Sequence, residues 1–417
     1  MTEPQGVSVR PRKSGYLASL DGWRAIAIIG VMMTHDRSWT FFGHSLSFVM
    51  GYGGYGLYLF FAISGFLITT RILEEEALVG HFHIGRFYIR RIFRIQPAEF
   101  AFLAAVALLA AFGLTHYDTY TDTVRTWISS LFLYVNFLYH PDSPNLITGH
   151  FWTLAVEEHF YILLSLTLFF VRKHRTLALF LLLLAFALPT ELLSQSHGTA
   201  WYLPVNSPRS TQWQLTPLLL AAFAAVLVRY PAVSQAVKRW LRPWMALLIT
   251  VVIALAAHVI TLTRAHQPLT IHHLDAEFPL ISTYLFILWV VSTVFHPRSL
   301  STRFLELKPL RFIGKISYSV YLWHVLVFYF WAILFFAEPS PFGYLRQNAA
   351  FSLLQLPFKY AFVFIFGVMS YYLIEKPMVR IGHRLAPSAT PGRPELADLP
   401  VEARDPNTSG TAEAIGA

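Results

Sequence analysis

The chain has 417 residues, of which 55% are hydrophobic and only 13% are charged. A soluble domain carries about 25% charged residues, so this composition excludes an ordinary soluble protein and indicates one that lies in a lipid bilayer. Cysteine is absent, which excludes a disulfide framework and a thiol nucleophile. The formal net charge of +9 would suit nucleic acid, but a polytopic membrane protein explains it better, and no nucleic-acid partner is expected.

Hydrophobic runs of about 20 residues, the length needed to cross a bilayer, recur along the chain. We count ten, at about 20–42, 52–73, 97–115, 150–171, 176–194, 212–229, 244–263, 278–296, 316–337 and 352–374. They predict an all-α polytopic integral membrane protein with about ten transmembrane helices. Residues 1–15 then form an N-terminal segment, residues 16–380 the transmembrane domain, and residues 385–417 a disordered tail, because the tail is rich in Pro, Ser, Glu, Asp and Gly.

Basic residues are distributed unequally between the two sides of this arrangement. With the N-terminus in the cytoplasm, the inner segments hold 23 Lys and Arg residues and the outer segments hold 5. An excess of this kind on the cytoplasmic side is typical of multi-pass membrane proteins. The distribution therefore predicts that both termini are cytoplasmic.

The first run is an apolar segment with ionisable groups at both ends. Asp21 and Arg24 precede it and His35 closes it. Arg24 and His35 are almost three helical turns apart, so they share a face and are separated by about 16 Å of rise. Ionisable groups at this depth usually face the bundle interior and mark a functional path. The alternative is that Asp21 and Arg24 pair as an anchor at the inner surface while His35 reaches toward the outer one.

Six segments of the chain resemble sequence motifs of the acyltransferase-3 family. They are LDGWRAIAIIGVMMTH at Leu20–His35, GYGLYLFFAISGFLI at Gly54–Ile68, RRIFRIQP at Arg90–Pro97, FWTLAVEEHFY at Phe151–Tyr161, GKISYSVYLWH at Gly314–His324 and IEKP at Ile374–Pro377. The resemblance covers about residues 16–380. It implies ten helices in the bacterial cell (inner) membrane, and an enzyme that moves acyl groups, commonly acetyl, onto hydroxyls of surface glycans or secreted metabolites.

Three arginines lie on the cytoplasmic side just before the third run: Arg90, Arg91 and Arg94. Taken alone, they are explained equally well as positive-inside charge or as a phosphate site, because arginine forks suit phosphate oxygens. With the family resemblance, binding of cytosolic acyl-CoA becomes the better interpretation. Arg94 ranks first because it lies nearest the bilayer.

Two adjacent carboxylates, Glu157 and Glu158, begin the fourth run at its outer end. Neighbours on a helix point about 100° apart, so both cannot line one path equally. Thr153 and Tyr161 share the face of Glu157, and we therefore rank Glu157 as the inward-facing one. The alternative is that both carboxylates are solvated at the interface.

A polar stripe on the ninth run holds Ser317, Tyr321 and His324, spaced i, i+4 and i+7 on one helix face. His324 is equally well read as a functional group in the bilayer or as a buried histidine bonded to a neighbouring carbonyl. It is the second candidate for a catalytic base after His35.

These residues together predict an acyl transfer site. A neutral histidine can take the proton of an attacking hydroxyl near working pH, and His35 is the candidate. Glu157 is expected to hold His35 in position and to stabilise its charged form. Arg24 either binds donor phosphate or is the electrostatic partner of Asp21. Direct transfer and a histidine-linked intermediate both remain open.

Two other patterns are interpreted as structural. GYGGYG at Gly51–Gly56 satisfies G-x-G-x-x-G, but it opens a membrane helix instead of following a strand, so close helix packing through small residues is the better reading. We expect no metal site, because the outer cluster fits no standard zinc spacing; its members are His266, His272, His273, Asp275 and Glu277.

The sequence thus predicts a membrane O-acyltransferase that moves a group, expected to be acetyl, from cytoplasmic acyl-CoA to a hydroxyl of a carbohydrate or glycosylated acceptor. Acyl-CoA is a donor substrate and no tightly bound cofactor is expected. Some family members carry a further hydrolase-like domain after the helices. Here the acceptor reaches the membrane site itself, or a separate periplasmic transferase completes the transfer. The alternative function is a transporter of an anionic solute, whose path would also use Arg, His and Glu within the membrane.

Overall fold

The computed structural model describes residues 17–36, 40–41, 44–45, 53–114, 120–137, 147–195, 211–264, 272–335 and 349–387. Its helices are α1 (Ala18–His35), α2 (Tyr55–Val79), α3 (Ile84–Ala111), α4 (Tyr120–Leu131), α5 (Phe151–Phe170), α6 (Arg175–Gln195), α7 (Thr211–Leu227), α8 (Pro231–Trp240), α9 (Pro243–Arg264), α10 (His272–Phe295), α11 (Leu300–Leu305), α12 (Lys308–Phe335), α13 (Ala349–Ser370) and α14 (Lys376–Leu385). A 3-10 turn at Val135–Phe137 and a π-helical turn at Tyr371–Glu375 also occur. Two short strands, β1 (Thr40–Phe41) and β2 (His44–Ser45), pair antiparallel.

Each of the ten predicted runs coincides with a helix, and the all-α prediction is confirmed apart from these two short strands. Within the described ranges, five helical stretches are long and apolar enough to cross a bilayer: α2, α3, α5, α12 and the stretch Gln355–Leu385. Helices α7 and α8 add a sixth if they form one broken span, bent by 102°. The count of ten spans and the cytoplasmic position of both termini remain predictions. The predicted N-terminal segment and all but the first residues of the predicted tail lie outside the described residues.

Helix α1 packs tightly against α2 and α12 through glycine. A Cβ at Gly56 of α2 would collide with the carbonyl oxygen of Ala27, and a Cβ at Gly314 of α12 would collide with that of Asp21. Small residues let helix backbones approach closely in membranes. The predicted packing role of the glycine motif is therefore seen at Gly56. Through these contacts, α1 brings its ionisable residues against two neighbouring helices.

Helix α14 returns to the start of α3 at the end of the chain's last apolar stretch. The π-helical turn joins it to α13 without a break in the helical path. A Cβ at Gly382 would meet the side chain of Phe93 on α3, so the two helices lie close together. Arg90 donates a hydrogen bond of 3.4 Å to the carbonyl oxygen of Ala386. The contacts of Gly382 and of Arg90 thus fix the position of α14 relative to α3.

Candidate active site

A cavity of about 620 Å³ lies at the end of the bundle where α1 begins. Its wall is formed by the first turns of α1 and α3, the end of α2, one residue of α12, the π-helical turn and α14. The wall carries eight arginine or lysine side chains and four carboxylates, namely Arg24, Arg71, Arg90, Arg91, Arg94, Lys315, Lys376 and Arg380 with Asp21, Glu74, Glu75 and Glu375. We call it the basic cavity. A concave surface with this excess of positive charge concentrates anions.

The four carboxylates of the basic cavity are already engaged. Asp21 pairs with Arg24 at 3.4 Å, Glu74 with Arg71 at 3.2 Å and Glu75 with Arg90 at 2.7 Å. The fourth, Glu375, is buried and accepts a hydrogen bond of 2.8 Å from the hydroxyl of Ser319. The predicted pairing of Asp21 with Arg24 is therefore present in the structure, and Arg24 still lines the cavity.

Arg90, Arg91 and Arg94 of α3 all line the basic cavity, but they differ in their partners. Arg90 is held by its ion pair with Glu75. The guanidinium of Arg91 lies 5.1 Å from the ring centroid of Tyr161 and 5.6 Å from that of Phe87. Arg94 forms neither a hydrogen bond nor an ion pair with any residue that the structure describes. The structure thus brings the predicted donor-binding residues together with Arg24, and it leaves Arg91 and Arg94 more available to a ligand than Arg90.

Glu157 of α5 is placed differently from its predicted role. Its carboxylate accepts a hydrogen bond of 2.7 Å from Ser64 of α2 and one of 3.2 Å from Tyr161, one turn further along its own helix. No hydrogen bond joins Glu157 to His35 in the described part of the chain. The structure therefore groups Glu157 with Tyr161 and Ser64 beside the basic cavity, and the partner of His35 has to be another residue.

That partner is His324. The Nε2 atom of His324 lies 3.4 Å from Nδ1 of His35, and the two ring centroids are 5.0 Å apart. Nδ1 of His324 lies 2.6 Å from the carbonyl oxygen of Tyr321, and Nδ1 of His35 lies 2.9 Å from that of Val31. Because a carbonyl only accepts, each Nδ1 carries a hydrogen when the ring is neutral. His324 then presents an unprotonated Nε2 to the N–H of His35, and the lone pair of His35 lies on its own Nε2.

A third histidine that the sequence analysis did not consider completes this cluster. His150 is buried, and its ring centroid lies 5.3 Å from that of His324. Its carbonyl oxygen accepts a hydrogen bond of 2.6 Å from the hydroxyl of Tyr321. We call His35, His150 and His324 the histidine cluster. The one available signal for His150 was its position directly before the FWTLAVEEHFY motif.

One face of α5 connects the histidine cluster with the basic cavity. The hydroxyl of Thr153 lies 2.5 Å from that of Tyr321, next to His150. One turn on, Glu157 bonds to Ser64, and after a further turn Tyr161 lies under Arg91. The predicted shared face of Thr153, Glu157 and Tyr161 is therefore a continuous polar strip between the two sites.

A buried ion pair adjoins His35. Nζ of Lys359, on α13, lies 2.5 Å from a carboxylate oxygen of Asp36, and both side chains are 2% exposed. The sequence did carry a signal for it, since Lys359 is the one charged residue in the apolar run 352–374. The ion pair joins α13 to the end of α1, directly after His35. The sequence predicts no metal site at the outer cluster of histidine and acidic residues, and the side chains of that cluster lie outside the part of the chain that the structure describes.

Comparison with known proteins finds relatives that are named O-acetyltransferases. The chain is 27% identical over 385 residues to the peptidoglycan O-acetyltransferase OatA of Listeria monocytogenes, covering 88% of this chain and 56% of that protein. It is 28% identical over 340 residues to a putative O-acetyltransferase of Staphylococcus aureus strain COL, covering 76% and 52%. It is 27% identical over 337 residues to the O-acetyltransferase OatA of Staphylococcus aureus strain NCTC 8325, covering 76% and 51%. The chain thus spans about half the length of these relatives.

No solved structure shows significant similarity to the chain. The acyltransferase domain profile, in contrast, matches residues 17–376, a range that contains the histidine cluster, the strip of α5 and the lining of the basic cavity except Val379, Arg380 and His383. The resemblance seen in the six sequence motifs is therefore confirmed over most of the chain, and this protein belongs to the acyltransferase-3 family.

Proposed function

We propose that this protein is a membrane O-acyltransferase that takes an acetyl group from acyl-CoA and transfers it to a hydroxyl of a carbohydrate or glycosylated acceptor. The observation that carries the proposal is the arrangement of two sites of complementary chemistry. The basic cavity suits an anionic donor, the histidine cluster suits an alcohol that must lose a proton, and the polar face of α5 runs between them.

The donor end is the basic cavity. Coenzyme A carries a diphosphate and a further phosphate on its ribose, and arginine binds phosphate oxygens through paired N–H groups. Arg91, Arg94 and Arg24 line the cavity on the side nearest Glu157 and Tyr161. The pantetheine arm is a long flexible chain that can carry the thioester from there along the face of α5. The 23-to-5 charge distribution supports a cytoplasmic position for this end, where acyl-CoA is found.

The acceptor end is the histidine cluster. Nε2 of His35 takes the hydroxyl proton while the oxygen attacks the thioester carbonyl, and the C–S bond then breaks to release the CoA thiolate. After Nε2 of His35 has taken the proton, the ring still carries its N–H on Nδ1, which is directed toward the carbonyl oxygen of Val31 and toward His324. His324 therefore holds the ring orientation and accepts from its charged form, the role that an acid plays for histidine in hydrolase triads. The proton is finally passed to the thiolate.

The acceptor class is supported by the names of the relatives. One of them is named a peptidoglycan O-acetyltransferase, and peptidoglycan is a carbohydrate outside the cytoplasmic membrane. We propose an acceptor of the same class, a glycan hydroxyl at the outer face of the bacterial inner membrane. It either reaches the histidine cluster itself or receives the acetyl group through a separate periplasmic transferase. Both routes need the two sites to face opposite sides of the membrane, an arrangement that the predicted ten spans with both termini inside would provide.

The test uses the full-length protein in detergent or nanodiscs with acetyl-CoA. A thiol reagent then measures released CoA without background, because the protein has no cysteine. We expect release with and without acceptor, faster when soluble peptidoglycan fragments are added, and acetyl groups on the fragments. Absence of release in both cases would contradict the proposal. Uptake of an anionic solute into proteoliposomes with the thioester left intact would favour the transporter instead.

A further inference from the structure

A second wall of the basic cavity, formed by α14, carries basic side chains in addition to those of α3. Helix α14 contributes Lys376, Val379, Arg380 and His383 to the cavity lining. These positions are spaced i, i+3, i+4 and i+7, so they form one face of the helix. This face borders the same cavity as α3, against which α14 packs through Gly382 and Phe93.

The cations of this wall are not held in ion pairs with the carboxylates of the cavity that the structure describes. Every carboxylate of the cavity lining is already bonded to another group, to Arg24, Arg71, Arg90 or Ser319. Within the described residues, neither Lys376 nor Arg380 forms an ion pair, and the ammonium of Lys376 lies 4.6 Å from the ring centroid of Tyr372. Arg91 and Arg94 on the α3 wall likewise form no ion pair with a described residue. Four cations that form no ion pair, two on each helix, therefore line one cavity of about 620 Å³.

Like charges gathered in a cavity repel one another unless an anion lies between them. The cavity is large enough for a nucleotide, since ligand pockets span about 300–1,000 Å³. Its two walls also differ in depth. Arg91 lies against Tyr161, toward Glu157 and the interior, whereas Arg380 and His383 are exposed. The α14 wall is thus at the mouth, where the end of the donor furthest from the thioester would lie.

We propose that Lys376 and Arg380 of α14 form a phosphate subsite that holds the nucleotide phosphates of the donor, in the same cavity as Arg91 and Arg94. This inference rests on the proposed function and refines it, because it assigns the far end of the donor to α14. The subsite makes the enzyme selective for CoA thioesters over thioesters that lack the nucleotide. Lys376 and Arg380 are binding residues and take no part in the transfer of the acetyl group.

The probe is adenosine 3′,5′-bisphosphate, which carries phosphates of the nucleotide and no thioester. In the full-length protein it should inhibit CoA release competitively with acetyl-CoA. The double variant Lys376→Gln/Arg380→Gln should raise both the KM for acetyl-CoA and the inhibition constant of the probe by about tenfold or more, because a charge-assisted contact contributes that much to affinity. The matched control is Arg384→Gln, which removes a charge from the same helix outside the cavity lining and should change neither constant.

Two further variants guard against a folding defect. The single variant Arg380→Gln alters an exposed side chain and should raise the inhibition constant in the same direction, and Arg380→Lys, which keeps the charge, should recover most of the loss. A probe that leaves CoA release by the wild-type protein unaffected overturns the subsite, as do equal constants for the double variant and the control. If the cavity instead holds the phosphate of an anionic lipid, the probe will leave CoA release by the wild-type protein unaffected. Absence of CoA release by the wild-type protein refutes the proposed function itself.

Discussion

Hydrogen bonding assigns different roles to the two histidines of the histidine cluster that were predicted from the sequence. His35 and His324 looked like alternative bases, because each lies on a polar helix face at depth in the bilayer. The structure joins them through Nδ1 of His35 and Nε2 of His324, 3.4 Å apart. His324 donates its own Nδ1–H to Tyr321. Its place is therefore beside His35, whose own lone pair lies on Nε2 when the ring is neutral.

This division of roles predicts a non-additive pair of variants. His35→Gln should lower the rate of acetyl transfer by roughly 10²–10⁴, the usual contribution of a positioned base, while acyl-CoA binding is kept. His324→Gln should cost less, and in the His35→Gln background it should cost almost nothing, because a residue that acts through another is silent once the other is lost. His174→Gln, an exposed histidine between α5 and α6, is the control. If the rate losses of the two single variants multiply in the double variant, the two histidines act independently.

The wild-type rate should depend on pH in a stated direction. A protonated imidazole has no lone pair, so transfer should slow as the pH falls and His35 becomes protonated. His35→Gln should lose this dependence along with most of the rate. The measurement is acetyl transfer by membranes matched for protein level. A residual His35→Gln activity that keeps the same acid limb would assign the titration to another group.

The α3 arginines should not contribute equally to donor binding. Arg91 and Arg94 form no ion pair with a described residue, whereas Arg90 is paired with Glu75 at 2.7 Å. The Arg91→Gln/Arg94→Gln double variant should therefore weaken CoA binding by about tenfold or more for each lost contact. Arg90→Gln should act mainly on stability, because it leaves Glu75 unpaired. Calorimetric titration with CoA checks this. An unchanged dissociation constant in the double variant would show that both arginines serve only as positive charge on the cytoplasmic side of the membrane.

At the scale of helices, the sequence predicts what is local and misses what depends on packing. The common face of Arg24 and His35 follows from helix spacing alone, as does the face of Thr153, Glu157 and Tyr161. The partner of Glu157 does not, because it depends on which helix lies opposite, and that helix is α2 with Ser64. His150 was missed for the same reason, since only the packing of α12 against the start of α5 makes it part of a cluster.

The glycine contact between α1 and α2 gives a prediction at this scale. In Gly56→Val the added side chain meets the backbone of Ala27, so α1 and α2 must separate, and overpacking costs about 1–3 kcal/mol. The midpoint of thermal unfolding of the purified protein should fall. Gly85→Ala is the control, because a Cβ at Gly85 of α3 has nothing within 4 Å and alanine favours a helix. Equal midpoints for wild type and Gly56→Val would contradict the close packing.

For the whole molecule, the charge distribution along the chain predicts an orientation that the helices alone do not specify. Reporter fusions at Ser14 and after Arg384 should both report a cytoplasmic position, because 23 of the 28 assigned basic residues then lie inside. A fusion in the segment between α4 and α5 should report the opposite side and serves as the control. A reporter at either end that indicates a position outside the cytoplasm would contradict the prediction of ten spans with both termini inside.

The central claim is that acetyl groups enter at the basic cavity on the cytoplasmic face and leave at the histidine cluster toward the other face. The most direct measurement uses sealed membrane vesicles of opposite orientation, with acetyl-CoA added outside and a glycan acceptor trapped within. Inside-out vesicles, whose cytoplasmic face is outward, should acetylate the trapped acceptor, and Arg91→Gln/Arg94→Gln and His35→Gln should each suppress this. Right-side-out vesicles should not acetylate it. Equal acetylation in both orientations, or acetylation in right-side-out vesicles alone, would contradict the account.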